Sequence, residues 1–399
     1  MTRIALITLH TPTPNNFRAA SALPYHLSAF RPKNTELEIW SFNLNGCSAE
    51  QIEKTERELG SKIHLLPRGR KMSFCSLAPA RLLLKKPLLA YLTLKPEAQA
   101  EISSYLSRKK SALWIYGEDI AGLTHLFDNQ PTVITTPDCE AMYYHRVLAM
   151  SGIPSNKLSL ARYTLMYHRY ARFTATYPTG SHIKYHLVGK ADRNFLKMLN
   201  PAADAYFIRH PHYDITQLQR SYASDGKPIR LLLAGRYDFY MSRAVDEAIS
   251  AMTRLPRSVK EKYHITFLGK GWEKSRNQLT EAGYTTDLKT FVDDYATEIS
   301  THHIQLTPVA VGTGTKGKVL DAFANGLMVI GTPLALENIA AESGKECVEY
   351  KSADELTEWL ENLADKPLLI NEIAKAGMEA VLRSHGREKI AEEFFSLFE

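Results

Sequence analysis

From Thr307 to Thr332 the chain reads Thr-Pro-Val-Ala-Val-Gly-Thr-Gly-Thr-Lys-Gly-Lys-Val-Leu-Asp-Ala-Phe-Ala-Asn-Gly-Leu-Met-Val-Ile-Gly-Thr. These residue types and spacings suit an anion. Gly312, Gly314 and Gly317 carry no side chain, so backbone N–H groups can close on a charged oxygen. The pattern predicts a helix from about Gly317 to Asn325, and its N-terminal end adds partial positive charge. Lys316 and Lys318 add formal charge on either side of Gly317, with Thr315 just before them. Gly326 follows the last helical turn, where a left-handed residue is needed. The order matches neither Gly-x-x-x-x-Gly-Lys-Ser/Thr nor Gly-x-Gly-x-x-Gly. Taken alone, the loop also fits a bland reading, a solvated corner of an ordinary α/β domain.

The elements that must position this corner come next. An apolar strand runs into the loop and a second, Leu327–Gly331, leaves the helix, so the unit is strand–loop–helix–strand. Upstream, Asp225-Gly-Lys-Pro228 is a turn cluster. It is followed by a buried strand, Ile229-Arg-Leu-Leu-Leu-Ala-Gly-Arg236. A helix near 242–253, a strand Ile265–Gly269, a helix near 273–282 and a strand Ile304–Pro308 complete the run. The first half alternates in the same way. Strands are expected at Ile4–Leu9, Leu37–Phe42, Ile63–Leu66, Leu113–Tyr116, Val133–Thr136 and Phe173–Tyr177. Helices are expected at Ala19–Phe30, Ala49–Leu59, Glu97–Arg108 and Cys139–Met150. Alternation of this kind argues for βαβ units and parallel sheets, here two doubly wound sheets of similar size.

The longer string around the corner resembles the donor-site segment of GT-B glycosyltransferases, most closely glycosyltransferase family 4. It comprises Pro308, Gly312-x-Gly314-x-Lys316-x-Lys318, Val-Leu-Asp-Ala-Phe-Ala-x-Gly326 and Val-Ile-x-Thr332. In that family Asp321 would stand at the second conserved glutamate, which binds the ribose of a nucleotide sugar. The first glutamate would fall on Thr313. Gly235-Arg236 resembles the family's Gly-Arg, whose arginine and a lysine five residues later hold the diphosphate. Here that lysine is Met241, and Arg243 and Lys316 are the substitutes at hand. Arg236 has a simpler reading as the end of a strand. Phe267-Leu-Gly-Lys-Gly-Trp272 resembles the second strand and its glycine turn. Phe291-Val-Asp-Asp-Tyr295 resembles the loop that meets the nucleobase, with Phe291 or Tyr295 on the base and the backbone near Val292 at its edge. Either aromatic also fits a core. Glu337, in Thr332-Pro-Leu-Ala-Leu-Glu-Asn-Ile339, resembles the family's Thr-x-x-Gly-x-Glu-Gly-Ile without its glycines.

The resemblance implies GT-B architecture, α/β, with two doubly wound Rossmann-like domains facing a cleft. Residues 1–210 would be the acceptor-side domain, 211–228 a linker and 229–384 the nucleotide-sugar-binding domain. Residues 385–399 would form a terminal helix crossing back to the first domain. It also implies a metal-independent, retaining sugar transfer with no cofactor. The nucleotide-sugar donor is a substrate, and the acceptor is a glycan or lipid-linked molecule of surface polysaccharide or glycoconjugate biosynthesis. A sugar-nucleotide epimerase or a glycan phosphorylase of the same fold, or a non-catalytic sugar-nucleotide-binding partner subunit, are the rival readings.

Ligands of open α/β sheets sit at the carboxyl ends of strands. In the first half Glu118 and Asp119 follow one strand and Asp138 follows the next. Asp138 is the candidate acceptor-side base, because a carboxylate there can take a hydroxyl proton; it can equally cap the helix that begins near Cys139. Arg18 lies in the first strand–helix loop, within reach of a diphosphate. The histidines at 145, 168, 182, 186, 210 and 212 do not set a pair and an acid on one helix face, so no metal site is expected.

Length and composition agree with this reading. The chain has 399 residues, 44% hydrophobic and 23% charged, enough for two or three globular domains. Cys47, Cys75, Cys139 and Cys347 show no metal or disulfide spacing, as in a reducing compartment. The N-terminal apolar run is too short for a signal peptide, and no segment is apolar long enough to span a bilayer. A cytoplasmic protein, at the inner face of the cell membrane, is the expectation. The net charge of +6 is concentrated between Pro67 and Pro96, with seven basic residues and no acidic one. With its leucines, 67–96 suits either a peripheral membrane contact or a packed helix with a solvated basic face. No nucleic-acid motif accompanies the charge.

Overall fold

The computed structural model describes residues 2–14, 19–67, 84–149, 157–212, 215 and 222–399. It divides into two compact units, Met1–Pro211 with Arg387–Glu399, and His212–Gly386. Each is a doubly wound parallel sheet.

The first unit has strands β1 (Thr2–Thr8), β2 (Thr35–Ser41), β3 (Ile63–Leu65), β4 (Ser111–Tyr116), β5 (Thr132–Thr135), β6 (Ile183–Leu187) and β7 (Asp204–Phe207). Their order in the sheet is β3-β2-β1-β4-β5-β6-β7. Successive side chains of a strand point to opposite faces, and here both faces are buried. Ala5, Ile7, Leu113 and Ile115 enter one core, while Ile4, Leu6, Trp114 and Val133 enter the other. That is why these strands read as unbroken apolar runs. The helix Arg387–Phe395 belongs to this unit: Phe394 lies 4.7 Å from the Trp114 ring, and Lys184 Nζ donates to the Leu397 carbonyl at 2.7 Å.

Phe173–Tyr177 is not a strand. Phe173 to Ala175 close the 19-residue helix Lys157–Ala175, and Asn200 Nδ2 donates to the Thr174 and Tyr177 carbonyls at 3.4 and 3.3 Å. Its aromatic and β-branched residues suit a strand, but Phe173 and Thr174 are buried as the helix end packs inward. The next strand is instead Ile183–Leu187.

The second unit has β8 (Ile229–Ala234), β9 (Tyr263–Leu268), β10 (Thr285–Lys289), β11 (Ile304–Thr307), β12 (Met328–Gly331) and β13 (Val348–Glu349). The order is β10-β9-β8-β11-β12-β13, all parallel. Order reverses between β8 and β11, which makes a switch point at their carboxyl ends. In the expected linker, Ala223 is pinned to this unit: its N–H donates to Asn371 Oδ1 at 3.0 Å, and Asn371 Nδ2 donates to its carbonyl at 2.9 Å.

Most of the basic 67–96 segment, and Arg18, lie outside the described residues. Of the part described, Leu88–Tyr91 forms a 3-10 turn, Leu92 is buried and Leu89 packs on the same core. Lys85 and Lys86 are exposed. Among the described residues no helix is long and apolar enough to cross a membrane.

Candidate functional site

The switch point of the second sheet brings together two segments far apart in sequence. Gly235 ends β8 with φ 121°. A Cβ there would run into Lys318 Nζ, so the ammonium lies against bare backbone. Trp272, fully buried, donates its indole N–H to the Gly235 carbonyl at 2.6 Å and fixes that turn. Solvent reaches Lys318, yet the protein around its ammonium lowers its pKa by desolvation; nearby Asp238 and Asp321 oppose the shift. The lysine is therefore a partly desolvated cation at the mouth of the site, where an anion gains most.

The loop after β11 is tied down from the segment that follows β12. Thr332 Oγ1 accepts the Val309 N–H at 3.2 Å and donates to the Val309 carbonyl at 2.8 Å. Asn338 Nδ2 donates to the Gly314 carbonyl at 2.9 Å. Gly314 and Asn338 both have left-handed backbones, φ 60° and 69°. Lys316 folds over its own loop, Nζ donating to the Thr313 and Gly314 carbonyls at 2.7 and 3.4 Å. A Cβ on Gly312 would come within 2.9 Å of Lys316 Cε, so that glycine makes room for the lysine stem. Thr315 is half-buried beside it. The helix Gly317–Ala324 then begins with Lys316 as N-cap and no side-chain capping bond. The Val319 N–H already donates to the Lys316 carbonyl at 2.9 Å, which leaves the N–H groups of Gly317 and Lys318 ahead of it for another acceptor.

The other expected ligand-side residues are placed as follows. Arg236 is exposed at the end of β8. Arg243 is on the helix Phe239–Arg254, its Nε 3.1 Å from Glu247 Oε1 one turn on. Met241, at the expected lysine position, packs against the core. Asp321 is 4% exposed, close enough to Lys318 to support its charge and to Tyr295 to raise its pKa further beyond what burial does. Phe291 is 79% exposed, while Val292 and Tyr295 pack against a core cluster. Glu337 is half-buried at the end of the short helix Pro333–Leu336. Asn338 and Asp238 were not singled out from the sequence. The one signal was Glu-Asn where the resembling family has Glu-Gly, an asparagine at a left-handed position.

Asp138 lies in the first unit, after β5, and is exposed. It is one of four clustered carboxyl groups, with Glu118 and Asp119 after β4 and Glu140 at the start of the helix Glu140–Ala149. Glu118 accepts a hydrogen bond from Tyr177 at 2.6 Å. Burial holds its pKa well above the usual carboxylate range, reinforced by Glu140, Asp119 and Asp138 and opposed by the Tyr177 bond. Burial raises Asp119 to about 6. Burial, with Asp138 and Asp119, raises Glu140 to about 7. Asp192 Oδ1, from the helix Lys190–Leu199, accepts the Cys139 N–H at 2.9 Å. Glu140 was missed in the sequence because it reads as a first-turn helix acid. Among the described residues no three histidines, cysteines or acids stand close enough to hold a metal ion.

Residues 247–396 match the family model described as Glycosyl transferase-like. No curated protein matches the sequence significantly. Among solved structures, the chain is similar over 99% of both chains to Anabaena HepE in complex with UDP and glucose, at 10% identity and TM-score 0.63. It is similar to sucrose-phosphate synthase from Thermosynechococcus elongatus over 100% of this chain and 98% of that one, at 13% identity and TM-score 0.63. It is similar over 99% of both chains to WaaG, described as a glycosyltransferase involved in lipopolysaccharide biosynthesis, at 13% identity and TM-score 0.62. At such identities the likeness shows the fold, which is that of the GT-B glycosyltransferases.

Proposed function

We propose, from the GT-B fold and the glycosyl transferase-like second unit, that the protein transfers a sugar from a nucleotide-sugar donor to a glycan or lipid-linked acceptor. The observation that carries this reading is the corner at the β8/β11 switch point. There Lys318, bare Gly235 backbone, the Gly312–Thr315 loop and a helix start without a side-chain cap converge. A departing nucleoside diphosphate develops negative charge as the glycosidic bond breaks. Lys318, Arg236 and the helix N–H groups stabilise that charge with little reorganisation. Asp238 and Asp321 oppose the desolvation of Lys318, and Lys316 holds the loop in shape through the Thr313 and Gly314 carbonyls. Val292 and Phe291 are the candidates for the base, and Glu337 for the sugar. HepE, solved with UDP and glucose, makes uridine diphosphate the first nucleotide to try.

On the acceptor side, Asp138 and Glu140 are the proposed proton handlers; Glu140, raised to about 7 by burial with Asp138 and Asp119, titrates near neutrality and can both accept and return a hydroxyl proton. Retention of configuration and a place in surface-glycan assembly follow from the family resemblance and belong to this proposal. Thr313 and Met241, where the family carries a glutamate and a lysine, favour a second reading as a sugar-nucleotide-binding partner subunit. A melting screen of the purified chain against nucleoside diphosphates and their sugars tests the site. Hydrolysis or transfer of the stabilising donor then separates enzyme from binding subunit. If no nucleoside diphosphate raises the melting temperature and no nucleotide sugar is consumed, both readings fail.

A further inference from the structure

Asp192 is fully buried in the first turn of the helix Lys190–Leu199. Burying a carboxylate is costly unless hydrogen bonds hold it. The N-terminal end of a helix favours an anion, which offsets part of that cost. Its contacts reach beyond its own helix. Oδ1 accepts the N–H of Cys139, 53 residues earlier, at 2.9 Å. A Cβ on Gly189 would run into Oδ2, so the carboxylate lies against bare backbone. Gly189 has an ordinary extended backbone, φ −124° and ψ 129°, and what it supplies is room for Asp192. The same segment holds the other end of the turn. Thr136 N–H donates to the His186 carbonyl at 2.9 Å, and Val188 N–H donates to the Pro137 carbonyl at 3.3 Å. The turn Pro137-Asp138-Cys139 is thus bonded on both sides to residues 186–192, with Asp138 between the bonds. The helix Glu140–Ala149 starts from the bonded Cys139, whose carbonyl accepts the Tyr143 N–H at 3.1 Å. Glu140 follows at once and feels the charges of Asp138 and Asp119. Glu118, and Tyr170 from the helix Lys157–Ala175, feel Glu140 in turn.

We propose that Asp192 is a positioning residue, which through the Cys139 N–H sets Asp138 beside Glu140 on the acceptor side. The inference rests on the reading of those two carboxyl groups as proton handlers. Fully buried, Asp192 acts through the turn and meets no acceptor. A first-turn acid that served its helix alone would need neither a glycine beside it nor a bond to a turn after another strand.

The test reads melting temperature against pH on the full chain. Glu140 is raised to about 7 from the ordinary 4.5 by burial and then by Asp138 and Asp119. Its stabilising contribution is complete below about 4.5 and is lost as pH rises through 7. Once Asp192→Ala frees the turn, Asp138 moves away and the Glu140 pKa drops towards its ordinary value. The fall in melting temperature across this window should then become shallower. Its slope should match that of Asp138→Asn, and the double variant should be no shallower than either single one. Asp192→Asn keeps an oxygen for the Cys139 N–H and should restore the natural slope. Gly189→Ala suits its backbone but not the Asp192 carboxylate, and it makes the same test should Asp192→Ala fail to fold. In transfer assays Asp192→Ala should lower kcat about a hundredfold, the effect of displacing a catalytic group by about 1 Å, with the donor KM unchanged. A natural protein without transfer activity would defeat the proton-handling reading and leave the slopes to judge the positioning. Natural slopes in both Asp192→Ala and Gly189→Ala, additive effects in the double variant, or no recovery in Asp192→Asn would overturn the proposal.

Discussion

Asn338 gives the sharpest test of how the donor corner is held. Its Nδ2 donates to the Gly314 carbonyl at 2.9 Å, and its backbone is left-handed at φ 69°. Those two features separate by substitution. Asn338→Gly keeps the left-handed backbone at no steric strain and loses the hydrogen bond, a net loss of about 1 kcal/mol. Asn338→Ala loses the same bond and adds about 1 kcal/mol of left-handed strain, so about 2 kcal/mol in all. For a unit of this size that is about 2–4 °C of melting temperature for glycine and about twice that for alanine. Affinity should behave differently. If the bond to Gly314 keeps the loop shaped for a diphosphate, both variants lose the same contact. Each should then bind uridine diphosphate about fivefold more weakly by titration calorimetry, whatever their difference in stability. Wild-type affinity in the glycine variant would refute the argument that Asn338 shapes the loop. A glycine variant less stable than the alanine variant would refute the conformational half.

Lys318→Ala should weaken nucleoside diphosphate binding roughly tenfold to a hundredfold, the range for a bond to a charged group, with little change in melting temperature. Lys316→Ala should weaken it less, because Lys316 Nζ is engaged by the Thr313 and Gly314 carbonyls; calorimetry on the pair ranks them. Glu140→Gln tests the carboxyl cluster. Its folded pKa of about 7 lies above the ordinary 4.5, so between those values the folded state binds the extra proton. Its contribution is complete below about 4.5 and is lost as pH rises through 7. The melting temperature of the natural protein should therefore fall across that window more steeply than that of Glu140→Gln. Asp119, raised to about 6, leaves a residual slope in the variant, and identical slopes would refute the assignment.

Much of the fold was legible because strands buried on both faces leave apolar runs with turn residues at their ends. Ile4–Leu9 and Ile229–Arg236 are such runs, and the observed strands, Thr2–Thr8 and Ile229–Ala234, have their ends within two residues of them. The edge strand Thr285–Lys289 was not legible. One of its sides meets solvent, its alternate residues are exposed, and Thr-Thr-Asp-Leu-Lys carries no apolar run. Phe173 was misread for the opposite reason: its residue type suits a strand, but packing at the end of a long helix decided its conformation.

The donor corner divides in the same way. Glycines, lysines and a helix start are features that residue types and short spacings specify, so the sequence alone determined a glycine-rich, lysine-bearing loop that runs into a helix and its capping Gly326, found at φ 78°. Which cation faces the site was beyond its reach. Lys316 and Lys318 are equivalent on paper, yet one folds back on loop carbonyls and the other lies against Gly235. That choice depends on β8 and β11 lying side by side in register, Ile304 beside Leu231 and Gln305 beside Leu232. Asn338 reaching Gly314 and three acids meeting around Glu118 depend likewise on strand order. Only the folded sheet decides such contacts, because pairing between distant segments is set by the burial of both faces together and not by any local stretch of chain.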